Sequence, residues 1–438
     1  VTEALLPSDW PEVTVEEIKA GHPRALATGP FGSSISSKYF QESGVPVIRG
    51  SNLSEDVGIR LDLGDLVFLA PEKAAEFKRS TVRKGDLVFT CWGTIGQVGL
   101  IEEGSFAEYI ISNKQMKLTP DPVRVDSEFL YYLFSGPGMS GRIRSQMIGS
   151  SVPGFNLTQL RSLPLRLPPL TEQVAIGHTL GILDRKIKAN HRINSTLEAM
   201  ARAIFKSWFV DFDPVREGHP LFPKKFCHSR IGNVPEGWSV APLREGFEIN
   251  PPRSLGRDVP APYLDMANLP VSSARALSWT LREVGSGMKF MNGDVLVARI
   301  TPCLENGKTS LVDFLEEGQV GWGSTEYIVL RSKPPLPVEY AYFLARSESF
   351  RAHAITNMTG TSGRQRVPVS CFDSFNVVVP PKYIAQEFGR IAASVMAGLK
   401  RNDEESSTLA AIRDALLPKL LSGEIRVKQA EKIVGKAI

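Results

Sequence analysis

The chain has 438 residues, 42% of them hydrophobic and 22% charged, with a formal net charge of +4 and a pI of about 8.8. That composition suits two or three globular domains, and the mild basic excess is compatible with nucleic acid without establishing it. No apolar run of about 18 residues occurs, no basic-then-apolar leader opens the sequence, and the four cysteines (Cys91, Cys227, Cys303 and Cys371) are too scattered for a disulfide framework or a zinc site. The expectation is a cytoplasmic protein with no membrane partner and no bound metal.

Along the first 169 residues, Val45-Pro46-Val47-Ile48, Asp86 to Thr90 and Met116 to Leu118 read as short strands bounded by turn residues. An aromatic-rich helix is predicted from Glu128 to Phe134. A Gly149-Ser150-Ser151 loop follows, and an apolar strand, Leu163 to Leu167, runs into Pro168-Pro169. Gly29-Pro30-Phe31-Gly32 reads as a turn that closes this module, with Phe31 in its core.

Thr171 sits where an N-cap would, and no proline follows until after about Phe209. Steps of four and three residues give a seam of Ile176, Leu180, Leu183, Ile187, Asn190, Asn194, Leu197, Ala201, Ile204 and Trp208. At 1.5 Å per residue such a helix spans roughly 60 Å.

The chain then repeats itself. Lys84 to Val88 returns 208 residues later as Asn292 to Leu296, and Pro168-Pro169 returns 212 residues later as Pro380-Pro381. Between these markers come strands at Val295 to Arg299 and Tyr327 to Leu330 and a helix from Glu339 to Leu344. A Gly360-Thr361-Ser362-Gly363 loop and a strand from Phe375 to Val379 complete the echo. A second long helix, about Tyr383 to Leu417, carries Phe388, Ile391, Val395, Leu399, Asn402, Leu409, Ile412 and Leu416. At the 212 offset Leu183 matches Val395, Ile187 matches Leu399, Asn190 matches Asn402, Leu197 matches Leu409 and Ile204 matches Leu416. A buried asparagine at equivalent seam positions fixes register at a cost in stability.

The expected fold is α+β. Two homologous, mainly antiparallel α/β modules (1–169 and 213–381) are joined by two long antiparallel coiled-coil helices (170–212 and 382–425) with pseudo-twofold symmetry, and 426–438 form a tail. Two similar heads at a set spacing suit two patches on a long regular ligand such as DNA.

Catalytic machinery is not legible. Asn250-Pro251-Pro252 is followed by Arg253 rather than by an aromatic that could stack on a flipped base, and no glycine-rich cofactor loop precedes it. No Walker A sequence is present, and Asp211, Asp213 and Glu217 read as solvated linker residues. No catalytic residue is assigned.

The organisation resembles the specificity subunits of type I restriction-modification systems over about Trp10 to Ile425. The resemblance is carried by Thr28-Gly29-Pro30-Phe31-Gly32-Ser33-Ser34, Ile48-Arg49-Gly50-Ser51-Asn52-Leu53, Gly93-Thr94-Ile95-Gly96 and Leu167-Pro168-Pro169-Leu170-Thr171-Glu172-Gln173. The second copy contributes Ala298-Arg299-Ile300-Thr301-Pro302-Cys303-Leu304-Glu305-Asn306-Gly307-Lys308 and Leu416-Leu417-Pro418-Lys419-Leu420-Leu421-Ser422-Gly423-Glu424-Ile425. The resemblance implies that each module is a target recognition domain for one half of a bipartite double-stranded DNA site. It implies too that the helices set the spacer and dock two methyltransferase subunits, and that two motor-nuclease subunits join them. S-adenosylmethionine, ATP and Mg are then expected on those partners and no cofactor in this chain, which is noncatalytic alone.

Most DNA contacts go to phosphates, and Arg, Lys, Asn and Gln are the usual base readers. The candidates in the first module are Ser33, Ser34, Lys38, Arg49, Asn52, Trp92, Thr94, Arg142, Arg144, Gln146, Ser150 and Ser151. In the second they are Arg253, Arg299, Thr301, Lys308, Thr361, Ser362, Arg364, Gln365 and Arg366, with Arg364-Gln365-Arg366 the leading cluster. Two other classes compete: a standalone DNA-modification enzyme with an unrecognised catalytic module, and a coiled-coil adaptor that binds proteins.

Overall fold

Short β-branched and aromatic segments between Gly-Asp and proline turns pair into small sheets, as their composition favours. The computed structural model describes residues 10–104, 106–147, 154–256, 259–361 and 363–438. The chain parts into two compact units, 1–188 with 406–438, and 189–405.

In the first unit eight strands form two sheets: β1 (Leu26–Thr28), β2 (Val45–Ile48), β3 (Val67–Leu69), β4 (Thr81–Val82), β5 (Leu87–Thr90), β6 (Val98–Leu100), β7 (Tyr109–Ile111) and β8 (Gln115–Leu118). Their orders are β1-β8-β5-β6 and β3-β2-β7-β4. All pairings are antiparallel except β2 with β7, where Val47 faces Ile110 and Ile48 faces Ile111. Against the first sheet lies the helix Ser127–Ser135, capped by the Asp126 carboxylate, which accepts from the Phe129 amide at 2.8 Å. Its residues Phe129 to Phe134 are all buried, as an all-round apolar helix requires.

The second unit repeats the plan. Its strands are β9 (Phe247–Ile249), β10 (Ala261–Leu264), β11 (Thr280–Arg282), β12 (Met288–Phe290), β13 (Val295–Ala298), β14 (Thr309–Leu311), β15 (Gly321–Gly323) and β16 (Tyr327–Ser332). The orders β9-β16-β13-β14 and β11-β10-β15-β12 match the first unit strand for strand, and the single parallel pair, β10 with β15, falls at the equivalent place. The helix Tyr340–Arg346 is buried throughout. A two-stranded ladder closes each unit: Glu12–Thr14 on Pro164–Arg166, and Ser239–Pro242 on Asn376–Val379.

Two long helices, α1 (Leu170–Lys206) and α2 (Lys382–Leu421), supply segments to both units. In the first unit Ile176, Leu180 and Leu183 of α1 share a core with Leu409, Leu416, Leu417 and Leu420 of α2, with Ile187 half-buried beside them. In the second, Ala201 and Phe205 of α1 share a core with Phe388, Ala392, Met396 and Leu399 of α2. Leu197, Ile204 and Val395, expected in the seam, lie at its margin, while Phe205 and Phe209, which the heptad count passed over, carry the aromatic packing. The reason is the width of the buried face. Helices packed on a globule bury a broader stripe than a two-stranded coiled coil does.

Both seam asparagines are bonded. Asn190, fully buried, donates to the Glu405 carboxylate at 2.8 Å and faces the Asn402 carbonyl at 3.4 Å. Asn402 donates to the Asn194 side chain at 2.8 Å, and Asn194 donates to Asp403 at 2.7 Å. As position rises along α1 from Asn190 to Asn194, the α2 partner falls from Asn402 to Leu399, so these segments run antiparallel.

Two boundaries differ from expectation. The long helix α2 continues through Pro418 to Leu421, because the buried Leu420 and Leu421 hold its last turn against the core. The segment expected as a tail forms a helix, Val427–Ala437, anchored by buried Ala430 and Val434.

Candidate nucleic-acid interface

Strand direction decides which loops gather. In the first unit β1, β2, β5 and β7 end, and β8 begins, at one edge. Hydrogen bonds from the Gly29 amide to the Gln115 carbonyl (2.9 Å), Ser112 to Ile48 (2.9 Å) and Cys91 to Lys114 (2.8 Å) tie those loops together. A side chain on Gly29 would lie 1.8 Å from the Ser112 carbonyl oxygen, so glycine is required there. Beyond it Phe31 projects with 80% of its surface exposed, opposite to its expected place in the core. The short run of polar residues around it offers no apolar partner to bury it. Ser33 and Ser34 are exposed on the same turn, as are Asn113 and Lys114 ahead of β8, two residues the sequence reading passed over.

Trp92 follows β5, is 48% exposed, and pairs in an isolated bridge with Gly154, over which its ring packs. Thr94 is exposed beside it. Arg49 is half-buried with its guanidinium on the Asp65 carbonyl, while Lys38 is exposed, its ammonium 4.7 Å from the Tyr39 ring. Asn52 has no exposed surface. Its carboxamide accepts from the Arg49 amide (2.9 Å) and donates to the Asp62 carbonyl (3.0 Å), so it builds the turn instead of facing a ligand. Arg144 is paired with Glu55 (2.9 Å) and reaches the Ile95 carbonyl, whereas Arg142 is exposed. Gln146 is half-buried, and its carbonyl accepts from Gln159. Ser150 and Ser151 lie outside the described residues.

The second unit gathers the equivalent loops. The Arg299 amide bonds the Glu326 carbonyl (2.9 Å), and the Arg299 carbonyl accepts from Val367 (2.8 Å). Thr301 bonds the Gln365 carbonyl (3.0 Å), and Ile300 bridges Arg366. These bonds bring Arg299, Thr301, Arg364, Gln365 and Arg366 into one loop cluster, and Thr361, whose carbonyl accepts from the Arg364 amide at 3.0 Å, stands exposed in it. Ser362 lies outside the described residues. The Arg366 guanidinium is held by the Glu326 carboxylate (2.8 and 2.9 Å), while Arg364 is exposed. The Thr301 hydroxyl donates to Glu305 at 2.9 Å.

Two candidates are structural. Arg253 donates to both carboxylate oxygens of the fully buried Asp294 (2.9 and 3.1 Å), and Lys308 donates to the Met266 and Ala267 carbonyls. Arg253 and Lys308 are therefore the counter-ion of a buried acid and a loop clamp respectively. The partners Glu55, Glu326 and Asp294 lie 89, 40 and 41 residues from their arginines, and nothing in the local sequence announces them.

Reactive groups are muted. Burial pushes the Cys91 and Cys371 thiols up to about 11, which keeps both protonated and poor as nucleophiles near neutrality. Among the described residues no group of three or more His, Cys, Asp or Glu side chains is placed to hold a metal. No helix there is long and apolar enough to cross a membrane.

Comparison with known proteins places this architecture. Residues 31–199 match the family described as the type I restriction modification DNA specificity domain. The MjaIX specificity subunit of a type I restriction enzyme from Methanocaldococcus jannaschii is 22% identical over 97% of this chain and 95% of its own length. The HindI specificity subunit from Haemophilus influenzae is 24% identical over 79% of this chain and 88% of its own. The fold is shared with the crystal structure of the type I restriction-modification S subunit from M. genitalium, at a TM-score of 0.57 and 16% identity, covering 96% of this chain and 99% of that one. The chain belongs to the family of type I restriction-modification specificity subunits.

Proposed function

We propose that this chain reads a bipartite double-stranded DNA sequence, one half-site per unit, as the noncatalytic specificity subunit of a type I complex. The observation that carries the reading is the duplication: two units with one strand order, each gathering loops of exposed polar, basic or aromatic side chains at one sheet edge. Side chains of this kind, on a scaffold made rigid by backbone bonds, can contact phosphates and base edges. In this reading two methyltransferase and two motor-nuclease subunits assemble on the chain and supply S-adenosylmethionine, ATP and Mg chemistry, in the cytoplasm.

The test is methylome sequencing of cells that express the chain with its methyltransferase. A split methylated motif is expected. An uninterrupted motif, or methyl transfer by the purified chain alone, would overturn the proposal and favour a standalone modification enzyme. Absence of any salt-dependent DNA binding would favour a protein-binding adaptor.

A further inference from the structure

The backbone bond from Val367 to the Arg299 carbonyl in the second unit has its counterpart in the first, from Phe155 to the Cys91 carbonyl at 3.1 Å. The adjoining bridges, Ile300 with Arg366 and Trp92 with Gly154, correspond as well. At this duplicated place one unit carries a thiol and an indole, the other a guanidinium.

The Arg299 guanidinium is singular in its surroundings. Its backbone is clamped on both sides, by Glu326 and Val367. Its Nε is buried and bonds nothing, and among the described residues no side chain forms an ion pair or hydrogen bond with it. The nearby carboxylates are engaged elsewhere: Glu326 holds Arg366 through both oxygens, and one oxygen of Glu305 accepts from Thr301. A held guanidinium with a covered, unbonded donor is unfavourable in the free protein, and its natural complement is a planar pair of acceptors.

We propose that Arg299 is the second unit's anchor for a bidentate acceptor on DNA, either the O6/N7 edge of a guanine or a backbone phosphate. This rests on the reading that the second unit binds DNA. The side chain approaches from a fixed strand end rather than a free loop, so little ordering is needed on binding. The first unit has no cation at the equivalent place, so the effect is confined to one half of the site.

The experiment is selection from a random duplex DNA pool by the full chain, its R299A variant and its R299K variant, with affinity measured across salt. Wild-type protein is expected to enrich a two-part consensus. If Arg299 meets a guanine, R299A loses one guanine position in one half only, affinity for the consensus falls roughly tenfold to hundredfold, and 7-deazaguanine at that position reproduces the loss. If it meets a phosphate, both halves of the consensus survive, affinity falls on every sequence, and the salt slope shrinks by about 1. R299K keeps the charge and the stem and shows the same pattern more weakly, so it decides the matter should R299A fail to fold. Wild-type affinity, consensus and salt slope in R299K and in any folded R299A would overturn the anchor while leaving DNA reading intact. Loss confined to the other half of the consensus would overturn it too. A wild-type chain that enriches no consensus overturns both readings.

Discussion

The two units share a strand order yet solve the same local problems with different side chains. Each places a buried aspartate after a Gly turn at the head of its central strand, Asp86 and Asp294. In the first unit the neighbouring cation is the buried Lys117, while in the second Arg253 and Arg331 bond the carboxylate directly. Each buries a tyrosine whose hydroxyl donates to an acid on α1: Tyr132 to Asp184, and Tyr342 to Glu198. Only the first of these acids is also bonded by an arginine from α2, Arg413 at 2.8 Å. Backbone register is therefore what the repeat preserves. Charge compensation and the outward-facing loop residues have diverged around it.

The sharpest way to break this comparison is at the buried acids. Arg413→Ala removes the main partner of Asp184 and should cost about 3 kcal/mol or more in urea unfolding. Glu198→Gln keeps an acceptor for Tyr342 and should cost about 1 kcal/mol. Equal losses would mean that the two tyrosine sites are energetically alike.

Next in size is Asp294→Asn, expected to cost about 3 kcal/mol because Arg253 is left nearly buried without its counter-ion. Asp86→Asn should cost far less, about 1 kcal/mol, because burial already disfavours the charged Asp86 carboxylate. Its folded pKa is raised, so the proton favours the folded state. Its contribution to stability declines as pH rises from the ordinary aspartate range through the raised value, and is flat above it. The slope in that window should vanish in Asp86→Asn, and its persistence would assign the pH dependence to another group.

At the loop ends, Trp92→Ala should weaken DNA binding with little change in salt slope, whereas Arg364→Ala should reduce that slope by about 1. Identical salt behaviour would erase the chemical contrast between the two ends. The smallest effect concerns thiols. At pH 8 the exposed Cys227 should react with a disulfide reagent well before Cys91 and Cys371, which should wait for unfolding, and simultaneous labelling would contradict their burial.

Much of this architecture was legible because it depends on order and period. Repeated Gly-Asp turns, proline pairs and matching seams place the strands, both long helices and the two asparagines without reference to tertiary contacts. What was hidden depends on distant partners. Nothing near Arg253, Lys308 or Asn52 reveals that Asp294, the Met266 carbonyl or the Asp62 carbonyl will engage them, so a residue type suited to DNA was indistinguishable from one spent on the fold. Phe31 failed in the opposite sense: an aromatic beside glycine and proline looks like a core anchor until the sheet edge shows where the turn points. Pro418 misled at the helix end, where packing of Leu420 and Leu421 outweighs one missing backbone donor.

The composition of the units also orders events during synthesis. Residues 189–405 are contiguous, so that unit has all its parts once they have left the ribosome. The other needs 406–438 to cover Ile176, Leu180 and Leu183, and must wait for the last stretch of the message although its sheets are translated first. A product cut short after α2 has begun would present an open apolar groove on the half made earliest, and would be a natural substrate for chaperones or proteases.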